Sequence, residues 1–229
     1  NKLHPGTRNL KNFALPMILC NLALEIEHLL DETYLRETMD TCIHEVMEVF
    51  YRPELGGIIV ENVDIDGNLV DCFEGRQVTP GHAIEAMWFI MDLGKRLNRP
   101  ELIEKAKETT LTMLNYGWDK QYGGIYYFMD RNGCPPQQLE WDQKLWWVHI
   151  ETPISLLKGY QLTGEWFEKV HDYTWEHFKD KEYPEWYGYL NRRGEVLLPL
   201  KGGKWKGCFH VPRGLYQCWK TLEDLMNYK

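Results

Sequence analysis

The segments YRPELGGIIVENVDIDGNLVD (Tyr51–Asp71), WDKQYGGIYYFMDRNG (Trp118–Gly133) and DKEYPEWYGYLNRRGEVL (Asp180–Leu197) share one plan. Each holds a Gly-containing turn, a short apolar or aromatic run, and then an Asp-Gly, Asn-Gly or Arg-Gly turn. Strand-forming residues around such turns describe small β-hairpins. Between and around them, helical spacing of apolar residues predicts helices over Phe13–Leu30, Glu32–Phe50, Gly81–Leu97, Glu101–Asn115, Lys144–Leu162, Glu165–Phe178 and Pro212–Met226. Gly56-Gly57 precedes Gly123-Gly124 by 67 residues, and Gly124 precedes Gly188 by 64. The unit is therefore a helix pair with its loop, repeated at roughly 65 residues. A helix pair alone leaves an apolar face bare, so such units stack into a solenoid or close into a ring. A ring of six pairs needs on the order of 390 residues, and this chain has 229. The expectation is an all-α toroid present in part, with about seven helices and short hairpins. Residues 1–229 then form a single domain, with roughly the first two fifths of the ring missing.

Composition narrows the function classes. The chain has 26 Lys and Arg against 34 Asp and Glu, a formal charge of −8, and no compensating basic run. That argues against a nucleic-acid partner, whose phosphates require a basic surface. Apolar runs break well short of the roughly 20 residues that span a bilayer, and no signal-peptide pattern opens the chain. Six cysteines without a C-x-x-C pair suit a reduced, cytoplasmic setting. Aromatic residues make up 14%, with 10 Trp and 13 Tyr, many beside polar neighbours. Such a mixture suits sugars, because an aromatic face packs on the C–H face of a pyranose while polar groups bond its hydroxyls.

Two histidines occupy corresponding places in the repeat. In Arg76–Glu85 (RQVTPGHAIE) a hairpin exit leads through Thr79, a capping residue type, and Pro80 into a helix. His82 and Glu85 then share one face of its first turn. The positive helix end is expected to hold the imidazole of His82 neutral, the form a base requires. Two repeats later Lys204–Arg213 (KWKGCFHVPR) repeats the order of Gly, His, Pro and helix, with Arg213 three residues after His210. Between them Lys144, Trp147 and Glu151 fall at i, i+3 and i+7, offering a cation, an aromatic plate and a carboxylate on one helical face. No metal site is read, because Cys208-x-His210 lacks nearby partners. Gly202-Gly203-Lys204 falls short of a nucleotide-binding loop. Leu15, Leu22 and Leu29 form a short heptad row, read as the buried side of a core helix. His149, His171 and His177 are read as packing or surface residues.

The stretches RQVTPGHAIEAMWF, QLEWDQKLWWVHIE and KGGKWKGCFHVPR resemble the N-acylglucosamine 2-epimerase family, also described as renin-binding protein in mammals. The resemblance implies the C-terminal part of an (α/α)6 barrel and interconversion of N-acetyl-D-glucosamine and N-acetyl-D-mannosamine. It also implies homodimers, in several members ATP as an activator, and a renin-type protein partner. Carried over residue by residue, His82 and His210 resemble the acid/base pair, and Glu85, Glu151 and Arg213 resemble other site residues. The family's N-terminal Arg and aromatic site residues have no counterpart in this chain.

Inversion at C2 requires a C1 aldehyde, a base on each face and a stabiliser for the enolate, for which Arg213 is the candidate. Glu85 is expected to orient His82 or bond a sugar hydroxyl, and Lys144, Trp147 and Glu151 to hold the sugar. Alternatives are cellobiose 2-epimerisation or aldose–ketose isomerisation with the same histidines, a glycosidase using Glu85 and Glu151, or a protein-binding module, suggested by the renin-binding description of relatives and by the leucine row.

Overall fold

The computed structural model describes residues 9–160 and 165–227. In chain order its elements are β1 (Leu10–Asn12), α1 (Ala14–Glu25), α2 (Glu32–His44), β2 (Tyr51–Arg52), β3 (Ile58–Ile59), β4 (Asn62–Asp64), α3 (Phe73–Arg76), β5 (Gln77–Val78), α4 (Pro80–Arg96) and α5 (Pro100–Gly117). Then follow β6 (Met129–Asp130), β7 (Lys144–Leu145), α6 (Trp146–Lys158), α7 (Glu165–His177), β8 (Tyr189–Leu190), β9 (Val196–Leu198) and α8 (His210–Asn227). A 3₁₀ turn over Glu27–Leu29 follows α1, and a π-helical stretch over Glu45–Phe50 extends α2.

Helices α1, α4, α6 and α8 pack side by side in that order, and α2, α5 and α7 back α1, α4 and α6 in turn. This is an arc of a two-layered α/α toroid. The layers differ as their sequences require. Inner helices α4 and α6 are apolar nearly all round and buried, whereas α2, α5 and α7 bury one stripe and present charges elsewhere. One hydrophobic core runs along the arc, from Phe13 and Met39 through Trp88 and Met113 to Trp146 and Val211.

Local chemistry sets the helix ends. Asp31 caps α2, its carboxylate accepting from the amides of Thr33 and Tyr34. Pro80 and Pro100 open α4 and α5, where a missing N–H costs nothing. Thr79 stands at the N-cap of α4, but its hydroxyl makes no capping bond. Inside α6, Pro153 removes the amide that would bond the His149 carbonyl. Thr174 of α7 sets its hydroxyl 3.5 Å from that oxygen, fixing α7 against α6 at the break.

Strand pairing differs from simple local hairpins. Hairpins do form between β2 and β3 and between β8 and β9, and Gly56, Gly57, Gly123 and Gly124 supply the positive φ that the tight turns require. The remaining ladders link successive repeats: β1 with β4, β5 with β6, and β7 with β8, all antiparallel. Two-residue strands cannot persist alone. Pairing the segment just before each inner helix with the loop of the next repeat gives both a partner. Leu10, Gln77 and Lys144 open these equivalent strands at a constant interval of 67 residues.

Two expectations are corrected. The helix expected from Lys144 begins at Trp146, with Lys144 left in β7; its expected end at Leu162 lies outside the described residues. The leucine row is not core: Leu15, Leu22 and Leu29 are 67%, 42% and 72% exposed. The other face of α1, with Met17, Cys20 and Ala23, is the buried one.

Candidate active site

The first turns of α4, α6 and α8 converge on one cavity of about 540 Å³. His82 and Glu85 line it from α4, Trp146 and Trp147 from α6, and His210 from α8. Tyr127, Glu140 and Gln143 from loops and Tyr189 from β8 add polar groups, and Met17 and Ile18 of α1 add to its apolar side.

Trp147 stands between the histidines. Its ring centroid lies 5.2 Å from that of His82 and 5.9 Å from that of His210, each pair inclined by 35°. Gly81 allows this approach, since a Cβ there would meet Trp147 Cη2 and Val148 Cγ2 at 2.6 Å. Each imidazole is tethered through the same atom to a different buried carboxylate. His82 Nδ1 lies 3.1 Å from both oxygens of Glu61, and His210 Nδ1 lies 2.8 Å from Glu151 Oε1. A carboxylate at Nδ1 selects the tautomer protonated there and leaves Nε2 as the base. No described residue bonds either Nε2.

The electrostatics of His82 overturn the expectation of a helix end that holds it neutral. Burial pushes its pKa down, but the charge of Glu61 and the hydrogen bond to it outweigh burial, so the net shift is upward. Glu61 was not read from the sequence as a site residue. Its backbone accepts from Phe13 N and donates to Gln77 O, pinning it between β1 and β5. The available signal was an acid inside the apolar run Ile58–Val63, where a buried charge requires a partner.

Glu151 is fully buried and serves three donors: Trp88 Nε1 at 2.9 Å, His210 and the guanidinium of Arg213. It lies beneath the cavity wall and does not line it, bonding His210 from behind instead of facing the cavity as expected. Arg213 likewise stays out of the lining. Its guanidinium is bonded to Glu151, lies 3.9 Å from Glu85 Oε1 and covers the rings of Phe209 and Trp88. The enolate-stabilising role expected of Arg213 has no support in this placement. Lys144 is also corrected. It is fully buried, reaches Asp119 Oδ2 at 3.2 Å and sits 3.9 Å over the Tyr126 ring. In β7 it points opposite to Leu145, and Leu145 is the residue that lines the cavity. Burial lowers its pKa to about 8.

Glu85 lines the cavity as expected but contacts neither histidine through a hydrogen bond; Glu61 takes the orienting place at His82. Burial first, and then the Glu151 charge, push the Glu85 pKa well up against the opposing pull of Arg213. Glu85, Glu151 and His210 each offer one atom within 4.8 Å of the others, a grouping able to hold a cation. The Arg213 guanidinium already takes that place. Glu85 lines the cavity while Glu151 lies beneath its wall, so the two carboxyls do not face each other across it as a glycosidase pair does. His149 is a packing residue: fully buried, it accepts from Ile125 N and bonds Leu145 O through Nδ1, and burial lowers its pKa to about 3.

The N-acylglucosamine 2-epimerase (GlcNAc 2-epimerase) family model matches residues 4–212. The chain belongs to the N-acylglucosamine 2-epimerase family. It is 40% identical over 222 residues to N-acylglucosamine 2-epimerase of Mus musculus, covering 93% of this chain and 52% of that protein. The corresponding Homo sapiens protein is 39% identical over 222 residues, with the same coverage. The chain spans about half the length of the curated relatives it matches. Among solved structures, a D-mannose isomerase matches with a TM-score of 0.77 at 18% identity, over 95% of this chain and 58% of that one. Cellobiose 2-epimerase from Spirochaeta thermophila DSM 6192 matches with a TM-score of 0.75 at 19% identity, over 99% and 56%. These two likenesses establish the shared α/α toroid fold of the epimerase family.

Proposed function

We propose that the protein inverts C2 of an N-acyl hexosamine, interconverting N-acetyl-D-glucosamine and N-acetyl-D-mannosamine, with His82 and His210 as the two bases. One observation carries this reading. Two imidazoles from equivalent repeat positions, each anchored at Nδ1 by a buried carboxylate, stand on either side of Trp147 in the wall of one cavity.

The chemistry follows from that arrangement. The open-chain sugar presents a C1 aldehyde that acidifies the C2 hydrogen. Nε2 of one histidine takes that proton, the C–H electron pair becomes the C1–C2 double bond, and the carbonyl electrons move to oxygen. The carboxylate behind the ring stabilises the imidazolium so formed. The second histidine delivers a proton to the opposite face, and the carbonyl reforms. A single base would return its proton to the face it left and regenerate the starting sugar. Each positioned base contributes about 10²–10⁴ in rate.

The test follows C2 proton exchange by NMR in deuterated water with N-acetyl-D-mannosamine, on wild type and the H82A and H210A variants. Exchange with epimer formation, lost in either variant, is expected; full activity in one variant would remove that residue from the chemistry. Conversion of D-mannose, whose C2 hydroxyl can become a carbonyl, to a ketose would move the reading to aldose–ketose isomerisation, in which the second proton goes to C1. Activation by ATP, homodimer assembly, a renin-type protein partner and a cytoplasmic setting belong to the same reading. Turnover with and without ATP and sedimentation of the purified protein check the first two.

A further inference from the structure

Enolisation needs a hydrogen-bond donor at the oxygen that gains charge, and Arg213 does not line the cavity. Tyr127, Gln143, Trp146 and Tyr189 are donors in the described lining, and Glu85 is the carboxyl that shares the first turn of α4 with His82. It is 3% exposed and lines the cavity within the same wall as His210. Its Oε1 is sealed from solvent without a hydrogen-bond partner, and no described residue bonds its other oxygen. The titratable groups facing it are Glu151 from α6, Arg213 and His210 from α8, and His82 one turn earlier on α4; α1 contributes the apolar Ala14, Met17 and Ile18 to the cavity. Arg213 is the one fixed cation among them; its Nη2 is bonded to Glu151, which also takes Trp88 and His210, and stands 3.9 Å from Glu85 Oε1, beyond hydrogen-bond reach, while its Nη1 is buried without a partner among the described residues. A second carboxylate here would be a buried charge with no hydrogen bond beside an existing anion, and such a group keeps its proton. A carboxylic acid held neutral can donate to a developing oxyanion.

We propose that Glu85 is carried as the neutral carboxylic acid and donates its O–H hydrogen to the C1 oxygen of the sugar as the enolate forms. The inference rests on the C2-inversion reading. In the balanced step the C2–H bond breaks to a histidine Nε2, its electron pair forms C1=C2, and the former carbonyl oxygen takes the negative charge. Glu85 hydrogen-bonds that oxygen and keeps its own proton. Glu85 is thereby a catalytic residue in contact with the reacting atoms, and Glu151 is a positioning residue whose negative charge keeps it protonated against the pull of Arg213.

The experiment has two arms on the full chain. Infrared difference spectra of wild type against E85Q at neutral pH are expected to contain a carboxylic-acid C=O band that E85Q lacks. That band is expected to move to lower frequency on adding N-acetyl-D-mannosamine. The kinetic arm compares E85Q, which keeps an N–H donor, with E85L, which has none, after circular dichroism confirms that both fold. E85Q is expected to stay within about tenfold of wild type and to lose the alkaline fall in kcat, while E85L drops about 10²–10³-fold. Absence of the acid band, a band that ignores the sugar, or equal rates in E85Q and E85L would each overturn the proposal. An inactive wild type would instead refute the C2-inversion reading, and the infrared arm would still decide the protonation and the sugar contact of Glu85.

Discussion

Replacing Glu61 by Gln isolates the effect of charge behind His82. The amide oxygen can still accept from His82 Nδ1, so shape and tautomer are kept while the negative charge is lost. Glu61 is 5% exposed and both its oxygens lie 3.1 Å from Nδ1, so solvent screens the pair little. A charge-assisted hydrogen bond of this kind is worth about 1.5–3 kcal/mol, and each 1.36 kcal/mol is tenfold in rate. If the imidazolium of His82 forms during the reaction, E61Q is expected to slow C2 proton transfer by about 10–150-fold. The titration gives the sign. The pKa of His82 is raised above 6.5 in the folded protein because Glu61 outweighs burial. The pair therefore stabilises the fold fully below pH 6.5, and that contribution is lost as pH rises through the folded value. In E61Q the His82 Cε1–H titration followed by NMR is expected to move to lower pH. The acidic limb of kcat/KM moves with it, and the fall in stability above pH 6.5 flattens. An unmoved titration with unchanged rates would refute the assignment of Glu61 as the group that sets the basicity of His82.

Gly81→Ala is expected to cost about 1–3 kcal/mol by overpacking and to displace Trp147, since its Cβ would meet Cη2 at 2.6 Å; urea denaturation and indole fluorescence check this. Lys144→Met is expected to lower Tm while leaving kcat within about twofold, because Lys144 lies outside the cavity, bonded to Asp119. A large loss of kcat with unchanged Tm would return Lys144 to the site. Glu151→Ala is expected to destabilise by about 3–5 kcal/mol, since it strands the Arg213 guanidinium, and to abolish epimerisation by freeing His210; urea denaturation and the C2 exchange assay check both.

The repeat and its two histidines were legible because both are written along the chain: the turns recur at a near-constant spacing, and His82 and His210 each stand at the start of an inner helix. What was not legible depends on contacts between repeats. Glu61 meets His82 across 21 residues and Glu151 meets His210 across 59, distances over which periodicity carries no information. Lys144 was misplaced by a two-residue error in one helix start, enough to move it from the helix to the face of β7 that points away from the cavity. The leucine row failed for another reason. A heptad marks an apolar stripe but does not say which stripe is covered, and α1 buries Met17, Cys20 and Ala23 instead.

The scaffold repeats more faithfully than the carboxylates it carries, and that difference bears on mechanism. Glu61 comes from a loop and gives both oxygens to His82, with Asn12 its other side-chain partner at 3.4 Å. Glu151 comes from the neighbouring inner helix and divides its charge between His210 and Arg213 while also accepting from Trp88. On the proposed C2-inversion reading, the repeated helix start supplies one imidazole to each face of the sugar, and the residues that differ between repeats supply unlike partners behind them.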